Sequence, residues 1–107
     1  MLYKFKTKAA GDLIMLEADG RRLLEIIGKD PGGPGIILPG QMAAAVEAIR
    51  AAVVAEEADQ QRQRDEAAAK GEPPPQFESV SLRMRSTPFI EMLQRCQQAD
   101  VEVVWGV

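Results

Sequence analysis

Residues 2–16, LYKFKTKAAGDLIML, decide the fold because two short apolar segments flank a turn. Between residues 2 and 7, apolar and polar residues alternate with the two-residue period of a strand. Gly11 lies in the following turn, and Leu13–Leu16 form a second apolar run that can return antiparallel to the first. A helical stripe also fits Leu13, Leu16, Gly20, Leu23 and Ile27. Gly20 interrupts that stripe, so a β-hairpin is the preferred interpretation.

A short helix over residues 20–28 is predicted next, with Asp19 as its N-cap and Leu23, Leu24 and Ile27 facing inward. The longest helix is predicted over residues 41–70, because apolar residues recur there at three- and four-residue spacing. The positions that form this apolar stripe are Met42, Val46, Ile49 and Val53. Beyond Val54 the segment is polar and has no apolar face to bury.

The last third of the chain is predicted to form a strand, a helix and a strand. Residues 79–86, SVSLRMRS, alternate again, which indicates a third strand. Thr87 followed by Pro88 is typical of a helix start, and the helix is expected to end near Gln98. The C-terminal residues VEVVWGV place Val101, Val103 and Trp105 on one face of a final strand.

These elements predict an α+β fold in which a small, mostly antiparallel sheet of three to four strands packs with three helices, one of them long. The length of 107 residues fits one domain, residues 1–107. Within it, residues 57–76 are expected to be a polar and mobile insertion that contributes little to the fold.

The glycine-rich stretch at residues 29–41, KDPGGPGIILPGQ, raises the question of a phosphate-binding loop. A P-loop requires Lys and then Ser or Thr at the start of the next helix, and neither follows these glycines. A dinucleotide-binding fingerprint also fails, because residues 36–38 stand between the glycines and the helix. The stretch is therefore interpreted as a structural connection in which Gly28 ends a helix and residues 36–38 plug the core.

Composition excludes several classes of function. The absence of His and the single Cys argue against structural zinc, catalysis by a His base and a disulfide framework. Cys96 is expected to pack in the core, and the acids Asp12, Glu17 and Asp19 are interpreted as caps and solvated surface instead of a cation site. No metal, cofactor or catalytic residue is predicted.

Charge and hydropathy limit the partners. A net charge of −3 and few aromatic residues argue against a nucleic-acid partner. A basic sheet face is the alternative that would favour one, and its residues would be Lys4, Lys6, Arg83, Arg85 and Arg95. No apolar run approaches the length of a membrane-spanning helix, and the N-terminus lacks the pattern of a signal peptide. The expected location is the cytoplasm, without membrane contact.

Several blocks of sequence resemble a known family when they are taken together. They are MLYKFKTKAAGDLIML, LLEIIGK, GIILPGQ, VSLRMRSTPFIEML and ADVEVVWGV. The chain resembles, over nearly its whole length, the uncharacterised bacterial family of domain of unknown function 1840. The resemblance implies a small intracellular bacterial protein, and it brings no activity, cofactor or catalytic residue with it.

The function predicted from these observations is a small interaction or regulatory module without catalytic activity. It is expected to act through a sheet edge or the long helix and to bind another copy of itself or another protein. The alternative is a binder of a small anionic ligand, or a minor enzyme, that uses Arg83 or Arg85. In that alternative the ligand lies near the glycine-rich loop, with Gly33 and Gly35 as its candidate contacts.

Overall fold

The computed structural model describes residues 2–77 and 80–106. The chain forms an α+β fold with one four-stranded sheet and three helices. In chain order the elements are β1 (Leu2–Lys6), β2 (Leu13–Leu16), α1 (Glu17–Ile26), β3 (Gly35–Ile37), α2 (Pro39–Ala69), α3 (Leu82–Ala99) and β4 (Val103–Trp105). The predicted fold class is thus confirmed, although one strand differs from the prediction.

The sheet has the order β2-β1-β4-β3, and all its neighbouring strands are antiparallel. The predicted hairpin is present as β1 and β2, with Leu2 opposite Leu16 and Phe5 opposite Leu13. The C-terminal strand is also confirmed. β4 lies inside the sheet, because it pairs with β1 through Phe5 and with β3 through Gly35, both of which lie opposite Trp105.

The helices cover one face of this sheet and form the core with it. Phe5 lies at the centre of an aromatic group, with ring centroids 4.9 Å from Phe89 and 6.0 Å from Trp105. The predicted apolar stripe of α2 is buried in full, as are Leu23 and Leu24 of α1. Aromatic pairs of this kind add to the burial energy of each ring.

The predicted strand at residues 79–86 is wrong, because α3 begins at Leu82. Ser79, the first residue of that prediction, lies outside the described residues. Ser81 is the N-cap, and its hydroxyl accepts a hydrogen bond from the Met84 amide at 3.2 Å. Pro88 lies inside the helix and does not start it. The alternation is only local, whereas Leu82, Ser86, Phe89 and Leu93 are buried at helical spacing.

The missing strand is β3, which lies within the glycine-rich stretch. Ile37 is fully buried, but Ile36 and Leu38 are exposed, so the predicted plug of residues 36–38 consists of Ile37 alone. The reason is the two-residue period of β3, which turns alternate side chains to opposite faces of the sheet.

Helix α1 begins at Glu17, directly after β2, so Asp19 lies in its first turn and is not its N-cap. Ile27 is partly buried just beyond the helix, and Gly28 follows with a φ of 80°, the left-handed conformation that often ends helices.

Helix α2 begins at Pro39, two residues earlier than predicted, because proline suits the first helical position. It runs on to Ala69 and gives the molecule extents of 52 × 28 × 21 Å. Its polar half carries ion pairs of Arg62 with Asp59 and, at 2.8 Å, with Glu66. The expected mobility of residues 57–76 stays a prediction.

Candidate functional site

Two aromatic side chains fasten the glycine-rich loop to the sheet. The Tyr3 hydroxyl donates a hydrogen bond to the carbonyl of Pro31. The indole Nε1–H of Trp105 donates to the carbonyl of Gly33 at 3.1 Å. Within the loop, the Asp30 carboxylate accepts a hydrogen bond from the Gly32 amide at 2.8 Å. These contacts hold the loop in place through its carbonyl groups and explain its shape without a ligand.

Gly35 is required by the packing of Trp105. A Cβ atom at position 35 would lie 2.2 Å from Cζ2 of the Trp105 ring, far inside van der Waals contact. Gly106 has a φ of 75°, and a Cβ there would lie 2.7 Å from the Pro34 Cα. Gly35 therefore makes room for the indole, and Gly106 makes room for Pro34.

A cleft opens beside the loop, between the N-terminal half of β1, the start of α1 and residues 31–34. We call it the loop cleft. It has a volume of about 470 Å³. Its charged lining residues are Lys4, Lys6, Arg21 and Glu17. The cleft exists because β4 pairs with β1 only through Phe5 and Lys6, whereas β1 continues to Leu2.

The loop cleft has a cationic lining and an aromatic wall. Its walls include Tyr3, Trp105 and the two prolines that flank the loop glycines. Among the described residues, Lys4, Lys6 and Arg21 form no ion pair with the protein's own carboxylates. Three cationic groups and one carboxylate face a partly apolar cavity, which is the lining that suits an organic anion.

The structure places the predicted ligand residues apart from one another. Gly33 lines the loop cleft, but Gly35, Arg83 and Arg85 do not. Arg83 lies on α3 and forms a two-point ion pair with Glu57 of α2, with both N–O distances 2.8 Å. Arg85 forms an ion pair with Asp19 and so joins α3 to α1. Each arginine thus pairs with an acid on another helix.

The ion pair between Arg83 and Glu57 affects both groups. The hydrogen bonds from Arg83 lower the pKa of the Glu57 carboxyl, and the same contact raises the pKa of Arg83. Both side chains are exposed, so water screens their attraction and the pair contributes little to stability.

Arg21 was missed as a site residue because nothing in its local sequence distinguishes it from Arg22. Arg22 points to α2 and pairs with Glu56 at 3.0 Å, whereas Arg21 lines the loop cleft. The sequence predicts Lys4 and Lys6 as a basic pair on a strand, but it does not show that they line a cleft which the arginines of α3 do not reach.

The second feature is the sheet face opposite the helices, which we call the open sheet face. Strand register places Leu2 beside Leu16 and Lys4 beside Ile14, and it places Ile36 beside Val104. Five of the eight exposed large hydrophobic side chains in the described part of the chain lie on this face or at its rim. They are Leu2, Ile14, Leu16, Ile36 and Leu38.

The remaining candidates have structural explanations. Cys96 is fully buried, as predicted, and its Sγ lies 3.2 Å from the Thr7 hydroxyl. Within residues 2–77 and 80–106 no group of three or more acidic or cysteine side chains is arranged to hold a metal ion. No described helix is both long enough and apolar enough to cross a membrane.

The comparison with family models identifies the chain. A model named Domain of unknown function (DUF1840) matches residues 1–105, which is nearly the whole chain, so the chain belongs to this family. No curated protein and no solved structure is significantly similar to it.

Proposed function

We propose that this DUF1840 member is a small interaction module that associates with a second copy of itself through the open sheet face. The observation that supports this proposal is the concentration of exposed aliphatic side chains on that face. An antiparallel sheet with one face in water normally places polar side chains there. Here Leu16 is 61% exposed and stands opposite the equally exposed Leu2.

The size of the face agrees with an interaction surface. The strands have 5, 4, 3 and 3 residues, so at about 3.3 Å per residue and about 4.8 Å between strands the face covers about 240 Å², to which the rim residue Leu38 adds. Contiguous apolar patches of roughly 300–600 Å² are the largest on typical monomers and are often functional. A stable interface buries about 800 Å² on each partner, which is more than the face alone provides, so the proposed dimer is weak and includes residues around the rim.

A second copy fits the chemistry of the face better than an entirely apolar partner does. Lys4 lies among the aliphatic side chains, and Lys6 and Lys8 lie with Glu102 at one end of the face. An identical face supplies an aliphatic surface for the exposed aliphatic side chains and a carboxylate, Glu102, for the lysines. Symmetric pairing of one patch with itself is the commonest arrangement of homodimers.

Sedimentation velocity over a wide range of protein concentration tests the proposal. The wild-type protein should pass from monomer to dimer as its concentration rises, and Leu16→Arg should stay monomeric. Val54→Arg is the matched control, because Val54 is also 61% exposed but lies on α2, away from the sheet. A wild-type protein that is monomeric throughout, or equal dissociation of both variants, would refute the proposal.

A further inference from the structure

We infer that the loop cleft binds a small organic anion, a molecule with a carboxylate or phosphate group and an apolar body. The loop cleft adjoins the open sheet face and shares Leu2, Lys4 and Lys6 with it, whereas Arg21 and the glycine-rich loop belong to the cleft alone. The inference is therefore tested through Arg21, which is not part of the proposed interface, and in the monomeric Leu16→Arg variant.

The charges in the cleft select an anion. Lys4 lies on β1 and Arg21 on α1, so the positive groups approach from two separate elements. The planar guanidinium of Arg21 suits the paired oxygens of a carboxylate or phosphate. Lys4 adds a charge that is not neutralised by a described carboxylate. Glu17, one helical turn before Arg21, disfavours polyanions with charge along their whole length.

The walls of the cleft select the rest of the molecule. The ring of Tyr3 and the flanking prolines offer apolar surface on which a flat or aliphatic group packs. Trp105 also borders the cleft, but it is only 1% exposed and adds almost no surface. A volume of about 470 Å³ accommodates a metabolite of modest size and lies in the usual range of ligand pockets. The hydrogen bonds from Tyr3 and Trp105 to the loop carbonyls hold these walls in place before a ligand arrives.

Phenyl phosphate and benzoate are suitable anionic probes, and benzyl alcohol is the neutral control of similar shape. Trp105 is the only tryptophan, so its fluorescence and its indole ¹H–¹⁵N signal report directly on the cleft wall. We expect both anions to produce a saturable change in these signals. Benzyl alcohol should produce no saturable change at the same concentrations.

Two neighbouring arginines provide matched variants. Arg21→Gln should weaken binding of both anions by about tenfold, because it removes charge-assisted hydrogen bonds. Arg22→Gln removes the same charge from the same helix but lies on the α2 side, so it should leave the affinity unchanged. Leu16→Arg, which disrupts the proposed dimer, should also retain binding.

Three results would overturn the inference. The first is the absence of saturation with either anion, and the second is equal binding of benzyl alcohol. The third is an equal loss of affinity in Arg21→Gln and Arg22→Gln, which would show that only the general charge of the surface attracts the probes.

Discussion

Replacement of Gly20 by Ala tests how closely α1 packs on the sheet. Gly20 is buried in α1, and a Cβ atom there would lie 2.6 Å from Cγ of the Tyr3 ring. Real Cβ atoms essentially never approach other atoms so closely, so the ring or the helix must move. The ring is not free to yield, because its hydroxyl is hydrogen-bonded to the Pro31 carbonyl.

The expected change is the balance of two opposing effects. Alanine is better than glycine in a helix by about 1 kcal/mol, which stabilises the variant. Overpacking a tight site costs about 1–3 kcal/mol, and a shift large enough to break the Tyr3 hydrogen bond costs about 1 kcal/mol more. Gly20→Ala should therefore lower the free energy of unfolding by about 1–3 kcal/mol, or the midpoint of thermal unfolding by about 4–24 °C.

Gly40→Ala is the control, because Gly40 also lies in a helix and a Cβ there meets no atom within 4 Å. It should leave the stability unchanged or raise it. Urea unfolding followed by circular dichroism gives both values. In a Tyr3→Gly background the clash is absent, because the Tyr3 Cβ, 2.8 Å from the added atom, is removed together with the ring. There Gly20→Ala should become stabilising. The packing argument is refuted if Gly20→Ala stabilises the wild-type protein, or if it destabilises both backgrounds equally.

Two further predictions concern Trp105 and Glu57. Trp105 is 1% exposed, so its fluorescence should be blue-shifted and poorly quenched by iodide; emission typical of exposed indole would place β4 outside the core. The pKa of Glu57 should lie below its ordinary value of 4.5 in an NMR titration and return to it in Arg83→Gln. Because folding lowers this pKa, the small contribution of the ion pair to stability is present at pH values above the ordinary pKa. It is lost as the pH falls through the lowered pKa. An unchanged Glu57 titration in Arg83→Gln would show that the ion pair does not form in solution.

The elements that the sequence predicts correctly are those specified by local periodicity. The hairpin alternates over enough residues to define its inward face, and the stripe from Met42 to Val53 spans three turns of α2. β4 is also predictable, because Val103 and Trp105 are apolar residues two positions apart beside a C-terminal glycine. In each case the buried residues recur along the sequence with the same period as the strand or helix that they form.

The start of α3 was not predictable in the same way, because distant residues support it. Ser81 caps one amide of its first turn, while the Leu82 amide donates to the Glu56 carboxylate of α2 at 3.1 Å. Neighbouring Glu57 then pairs with Arg83. These acids precede the helix by 26 residues in the chain. A reading of residues 79–86 alone therefore finds a strand-like alternation and misses the partners that favour a helix.

The same dependence on distant residues explains why the strand within the glycine-rich stretch was not predicted. Gly35 is required by the indole of Trp105, which lies 70 positions later in the chain, and β3 forms only because β4 is beside it. β4 pairs with β1 only as far as Phe5, opposite Trp105, and the loop cleft opens beyond that point. The glycines thus shape the cleft through packing, whereas the charges that suit it to an anion come from Lys4, Lys6 and Arg21.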